Sequence, residues 1–331
     1  MKIAQPIYFG QFRCIAGDCP DSCCKEWAVQ VDAESAAIYR QLPSALGDRL
    51  RQVLVEEDGE TVMEIEAGRC PMWRADGLCR IQAELGEEAL CKTCREFPRI
   101  LHDYGDFQER QLELSCPEAA RIILSAQPGW EIREAPGAEE AEYDTEAMEL
   151  LQGSREILYG ILADSARPVN ETLALALIYG YQAQSELDGE EISPFDPEAA
   201  METARQFAKP ADPTALRDFF LSLEILTDSW RQRLQNPQQG LWQEGYRNLA
   251  RYFADRYWLQ AVSDYDLSSR VKLMVVSCLL IRYLGGDLAQ TAQLYSKEIE
   301  NSTENLEAIL DAAYTHPAFT DEKLLGLLLY L

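Results

Sequence analysis

The chain has 331 residues and is 47% hydrophobic, enough for two domains or one large one with a proper core, which excludes global disorder. It has no apolar run of about 18 residues, so no membrane span is expected, and Met1–Pro6 lacks the apolar centre of a secretory signal, which points to the cytoplasm. The net charge of −26 repels phosphate backbones and argues against nucleic acid as a partner, while it would attract a lysine-bearing protein.

In chain order, Asp32 opens a helical stretch with Ser35, Ile38, Tyr39 and Leu42 on one face before Pro43, and a second short helix runs over 45–55. Thr61–Glu66 alternates and reads as a strand just before Cys70. Residues 79–90 are helical in pattern, and Phe107–Ser115 alternates again with Leu112 and Leu114 inward. Pro117 suits the first turn of a helix over 118–125. Residues 127–143 are rich in Pro, Gly, Ala and Glu and read as a linker. Helices are then predicted over 144–165, 169–185, 197–208, 213–234, 241–260, 267–284, 287–301, 304–314 and 321–331, punctuated by prolines and by Gly285-Gly286. The expected fold is mainly α, with an irregular metal-stapled cysteine module and short strands over 1–126, the linker, and an all-helical domain over 144–331.

Nine of the ten cysteines fall between Cys14 and Cys116, and such clustering needs a shared chemical reason. They are Cys14, Cys19, Cys23, Cys24, Cys70, Cys79, Cys91, Cys94 and Cys116; Cys278 stands apart in an apolar helical stretch and reads as a core thiol. A reducing compartment argues against disulfides and for metal ligation. Thiolates suit zinc, Cu(I) or iron–sulfur clusters. A zinc ribbon shows two CxxC knuckles and this chain has one, at Cys91 and Cys94, while the adjacent pair Cys23-Cys24 and the proline contexts at Cys19, Cys70 and Cys116 suit a cluster. The spacing matches neither two-cluster ferredoxins nor the CxxxCxxC run of radical enzymes. With only His102 and His316 present, a serine–histidine triad or a multi-histidine metal site has almost no material.

These residues carry a resemblance. Phe12-Arg13-Cys14, Cys19, Asp21–Trp27 and Val31-Asp32 are similar to the opening of the flagellin lysine-N-methylase family. Cys70-Pro71, Gly77–Gln82, Leu85-Gly86-Glu87, Thr93–Arg99 and Leu114–Arg121 continue the match, and the helical half resembles the family more loosely. The cysteine half also resembles a broader group of zinc- or iron-chelating cysteine-cluster proteins. The resemblance implies methyl transfer from S-adenosylmethionine to lysine ε-amines of flagellin, and a [4Fe–4S] cluster. It implies Cys14, Cys19, Cys23, Cys24, Cys70, Cys79, Cys94 and Cys116 as the metal-binding set, with Cys91 an accessory thiol. Eight thiols exceed the ligands of one such cluster, so either two centres form or some cysteines sit behind the ligands. Zinc remains the alternative metal. A non-enzymatic metal-binding interaction protein and a redox protein remain alternative functions.

Methyl transfer to lysine needs a neutral amine, so a site must desolvate it or take its proton. Tyr104, Tyr252, Tyr257, Tyr265 and Tyr283 are candidate wall residues, and Arg95 and Arg99 could orient a carboxylate or offset cluster charge. No strand, glycine-rich turn and helix of the nucleotide-binding type is present, because Gly285-Gly286-Asp287 follows a helix and caps it. Neither a catalytic residue nor a methyl-donor site is assigned from the sequence.

Overall fold

The computed structural model describes residues 1–25, 29–57, 59–137 and 139–331, so Glu26 and Trp27 of the opening motif lie outside the described residues. The chain is mainly helical, as expected, with seven short strands among the described residues. These are β1 (Lys2–Pro6), β2 (Val29–Gln30), β3 (Leu54–Glu57), β4 (Glu60–Met63), β5 (Arg99–Asp103), β6 (Phe107–Leu112) and β7 (Trp130–Glu134). They form two sheets, in the orders β5-β6-β1-β7 and β2-β4-β3.

The larger sheet unites segments far apart in sequence. β1 runs parallel to β6, with Lys2 opposite Phe107, and antiparallel to β7, with Ala4 opposite Ile132. β5 and β6 form an antiparallel pair with His102 opposite Glu109. The stretch read as a linker therefore contains a strand. Pro128-Gly129 and Pro136-Gly137, the composition that suggested a linker, mark the strand's two ends, and β1 requires a partner on that edge.

Two apolar cores result. The smaller joins Val29, Val31, Tyr39, Leu50, Met63, Met72 and Ile81 with Cys70 and Cys91, and Cys24, Cys79 and Cys94 pack on its surface. The larger spans the helices and includes Phe12, Phe107, Leu112, Leu114 and Cys116 from the N-terminal part. β1 and β6 thus bind the early sequence to the helical body. Ile38, placed on the apolar face of the first helix, is 56% exposed; Ala36 and Tyr39 are the residues that Ala33–Gln41 buries.

The helices form where capping residues and apolar periodicity agree. Asp144, Asp196, Thr227, Asp266, Asp287 and Ser302 each accept a backbone N–H in the first turn of the helix that follows. The helix Leu267–Leu284 is buried on nearly every side and packs against Val169–Leu187, Gly245–Tyr257 and Thr303–Thr315. Its last carbonyls are satisfied by the backbone N–H groups of Gln238, Gln239 and Gly240, at 2.8–3.0 Å. That close approach requires Gly285, which has φ of 66° and would set a Cβ 2.8 Å from Gly240 N.

The helix expected over 213–234 is two helices, Thr214–Ser222 and Asp228–Gln235. Between them the backbone is held extended from outside. Asn305 Oδ1 accepts Glu224 N–H at 3.1 Å, Glu298 Oε2 accepts Leu226 N–H at 2.8 Å, and Thr227 starts the second helix as its cap.

Gly326 gives a sharp test of packing between Asp321–Tyr330 and the segment at Lys209. A Cβ at Gly326 would lie 1.7 Å from the Lys209 carbonyl oxygen. Alanine in place of a mid-helix glycine ordinarily gains up to about 1 kcal/mol. Gly326→Ala should instead cost about 1–3 kcal/mol, seen as a lower Tm by circular dichroism; a raised Tm would mean that the Lys209 segment does not lie on the helix.

Candidate functional site

The eight cysteines expected to act together come from five short segments. Cys14 and Cys19 flank the single turn Ala16–Asp18, and Cys23 and Cys24 follow it. Cys70 lies beyond β4, and Cys24 O accepts the Cys70 N–H at 2.8 Å. Cys79 and Cys91 precede the helices Arg80–Leu85 and Lys92–Glu96, Cys94 lies within the second of these, and Cys116 precedes Pro117–Ser125. Cysteine before a helix is favourable for a thiolate, because the unpaired N–H groups and the helix dipole point at sulfur.

Neighbouring thiols influence one another electrostatically. The Cys70 thiol donates to Met63 Sδ at 3.3 Å, and the neighbouring Cys23 and Cys70 thiols hold Cys24 well below the usual thiol range while they are themselves pushed above it. Cys91 Sγ donates to Gln30 O at 3.9 Å, and the neighbouring Cys94 lowers Cys91 while Cys94 itself is raised. Burial raises Cys79, and Cys24 and Cys91 add to that rise. At the other end burial lifts Cys116 to about 11, with Cys19 and Cys14 contributing, and Cys23 feels both Cys14 and Cys116. Cys23 and Cys24 therefore connect an inner group (Cys70, Cys79, Cys91, Cys94) with an outer one (Cys14, Cys19, Cys116). Among the described residues, no three His, Cys, Asp or Glu side chains are grouped to hold a metal ion. Cys278 is fully buried in Leu267–Leu284, as expected of a core thiol.

Beside the thiols lies a cleft of about 370 Å³, between the cysteine segments and the helical body. Asp21, Ser22 and Cys23 line one wall, with Thr93, Glu96, Phe97 and Arg99 adjoining. Glu113 and Ser115, just beyond β6, and Lys297 and Asn301, at the end of Leu288–Ile299, complete it. Asp21 holds the two sides together. Its Oδ1 accepts Lys25 Nζ at 3.1 Å, and its Oδ2 accepts Lys297 Nζ at 3.2 Å and Gln293 Nε2 at 3.1 Å. Burial opposes ionisation of Asp21, but Lys297 and Lys25 prevail and its carboxyl stays below the ordinary range. Gln293 Nε2 also reaches Ser115 O at 2.9 Å.

Behind the cleft is a buried polar network. Glu300, fully buried, accepts Tyr257 O–H at 2.8 Å and Tyr252 O–H at 3.0 Å, and pairs with Arg256 Nε at 3.2 Å. Burial pushes the Glu113 carboxyl up, Arg256 pulls it back and Glu300 adds to the rise. Glu113 Oε1 and Ser115 Oγ are buried with no hydrogen-bond partner.

The flagellar biosynthetic protein FliU of Salmonella muenchen is 32% identical over 132 residues, which cover 38% of this chain and 78% of FliU. The chain belongs to the flagellin lysine-N-methylase family. Lysine-N-methylases of Salmonella typhimurium and Salmonella choleraesuis are also 32% identical over 132 residues, covering 38% of this chain but 33% of each relative, so the chain matches about a third of those proteins' length. No family model and no solved structure matches it.

The thiols are the part of the candidate site that the sequence marked. Cys91, held as an accessory, is lowered by the neighbouring Cys94. Glu113, Ser115, Lys297 and Asn301 were not singled out, since nothing in their spacing connects them. Of the tyrosines considered, Tyr252 and Tyr257 belong to the Glu300 network, Tyr104 stacks on Phe107, Tyr265 donates to Asp144, and Tyr283 is buried in its helix. Arg99 lines the cleft and covers the Phe12 ring at 5.1 Å. Arg95 reaches the Leu90 carbonyl at 3.5 Å. His316 caps Pro317–Phe319, and half-buried His102 on β5 is lowered to about 4, first by desolvation and then by Arg256.

Proposed function

We propose that this chain is a cytoplasmic protein-lysine N-methyltransferase that takes methyl groups from S-adenosylmethionine and places them on flagellin. Similarity to proteins named lysine-N-methylases is the observation that carries the reading. The set Cys14, Cys19, Cys23, Cys24, Cys70, Cys79, Cys94 and Cys116 would supply the four thiolates that a [4Fe–4S] cluster takes, with zinc as the alternative metal. The donor set is soft and abundant, which fits either metal. A bound cluster would contribute folding free energy by fixing five otherwise separate segments.

The chemistry asks two things of the protein. The lysine nitrogen must bear its lone pair, which forms the new N–C bond as the sulfonium–methyl bond breaks and sulfur becomes a neutral thioether. The proton lost from nitrogen must reach an acceptor. A partly buried cleft favours the neutral amine by desolvation, and carboxylates in it can receive the proton.

Two measurements on anaerobically purified full chain test this reading. Metal analysis should find about four irons and four sulfides per chain with a broad band near ~400 nm; stoichiometric zinc without a chromophore would replace the cluster by zinc. Calorimetric titration with S-adenosylmethionine should show saturable binding. No binding by the metal-replete chain would remove the enzyme and leave a metal-binding interaction protein.

A further inference from the structure

An open sheet has two edges, and proteins ordinarily blunt them with prolines, charged side chains, bulges or a covering element. At one edge of the larger sheet, β7 is flanked by Pro128 and Pro136 and, besides Trp130 and Ile132, carries Glu131, Arg133 and Glu134. At the other edge, β5 reads Arg99-Ile100-Leu101-His102-Asp103, without proline or lysine, and pairs one-to-one with β6, without a bulge.

The register fixes which groups of β5 face outward. Glu113 N–H donates to Pro98 O at 2.8 Å, and Tyr104 N–H donates to Phe107 O at 3.0 Å. Bonded and non-bonded pairs alternate between these two, so Ile100 and His102 exchange bonds with β6. The backbone N–H and C=O groups of Arg99, Leu101 and Asp103 therefore point away from β6. Among the described residues none of them has a hydrogen-bond partner. Their side chains share one exposed face, with Leu101 52% exposed at its centre. Arg99, where the strand begins, lines the cleft beside the thiols. Where it ends, Asp103, Asp106, Glu139 and Glu140 are exposed, and Glu139 N–H donates to Gly105 O at 3.1 Å, which brings the two acidic pairs together. Such a row of outward donors and acceptors recognises extended backbone. The acidic end, on a chain of net charge −26, favours a basic segment and opposes a second copy of this chain.

We propose that the outer edge of β5 docks an extended, lysine-containing segment of the protein substrate as an added strand, with its basic residues toward Asp103 and Asp106. A segment held there runs up to the cleft, because β5 starts at Arg99. Under the methyltransferase reading, on which this identity rests, the segment belongs to flagellin.

Hydrogen exchange on the metal-replete full chain, with and without unmethylated flagellin, reads the edge directly. In the free chain the Arg99, Leu101 and Asp103 amides should exchange quickly while β6 protects Ile100 and His102, and flagellin should slow the first group. Leu101→Pro removes an N–H that makes no bond to β6 and sets its ring where the added strand would run. By calorimetry it should weaken flagellin binding at least about tenfold, with a Tm close to that of the wild type. Glu139→Gln/Glu140→Gln should weaken binding about two- to fivefold and flatten its salt dependence. Wild-type affinity in folded Leu101→Pro, exchange in β5 that flagellin leaves unchanged, or no binding of flagellin at all would each overturn the proposal. Should Leu101→Pro not fold, Leu101→Lys takes its place in the same experiments, since it keeps the backbone and sets a cation against a basic segment. Protection of β5 that grows with the concentration of the chain alone, with a dimer lost in Leu101→Pro, would give the edge to a second copy and refute the substrate segment. Methyl transfer keeps the two claims apart. Methylation with kcat and KM unchanged in Leu101→Pro refutes the docking alone, and flagellin held on β5 without methylation refutes the enzyme reading alone.

Discussion

Replacing Arg155 with leucine should lower stability by about 3–5 kcal/mol, because it strands a buried carboxylate. Arg155 and Glu109 form a bidentate pair in which Nη1 donates to Oε2 at 2.9 Å and Nη2 to Oε1 at 2.5 Å. Both side chains are less than a tenth exposed, at 7% and 5%. Glu109 lies on β6 in the middle of the larger sheet, and Arg155 on the helix Thr145–Ala163, so the pair joins sheet to helical body. Gln111, on the same strand, reinforces the junction by donating to Asp255 O at 2.5 Å. Urea unfolding followed by circular dichroism reads the loss. The double variant Arg155→Leu/Glu109→Leu should recover most of it, because the desolvation cost leaves with both charges. A single-variant loss under about 1 kcal/mol, the range of exposed pairs, would mean that water reaches the pair.

The second large effect belongs to the thiols. Cys24 is held low by the neighbouring Cys23 and Cys70, and Cys94 is raised by the neighbouring Cys91. Serine at both Cys24 and Cys94 removes one connecting sulfur and one sulfur of the inner group. Under the metal-bound reading, the variant should lose most of its metal, and the small core around Leu50, Met63 and Met72 should become open to proteolysis. Metal binding contributes folding free energy of order 10 kcal/mol in small structural sites, so this region should respond far more than the helical body. Full metal content in the double variant, with unchanged protease resistance, would contradict the assignment of these thiols as ligands.

The helices were the most legible part of the sequence because their signals are local. Asp266 before Leu267 and Gly285 after Leu284 bound a helix whether or not its neighbours are known. The break at residues 223–227 was hidden, since it is imposed by Asn305 and Glu298 from far along the chain. β1 was missed for the same reason: Lys2–Pro6 is five residues without marked alternation, and its partners start at Phe107 and Trp130. β7 was hidden behind the proline and glycine that end it. Cysteine spacing declared the thiol set, yet the cleft beside it is assembled from four separated segments. Glu113 in Gln111-Leu112-Glu113-Leu114-Ser115 looks like the outward residue of an ordinary strand. The strand ends at Leu112, and Gln293 of the helix Leu288–Ile299 reaches the Ser115 carbonyl beside it.

Methyl transfer itself tests the central claim most directly. Metal-replete full chain, S-adenosylmethionine and unmethylated flagellin should yield flagellin whose tryptic peptides carry one or more added methyl groups on lysine, by mass spectrometry. The increments should be absent without S-adenosylmethionine. Flagellin left unmodified by a chain that holds its metal and binds S-adenosylmethionine would contradict the assignment of this protein as a flagellin lysine methyltransferase.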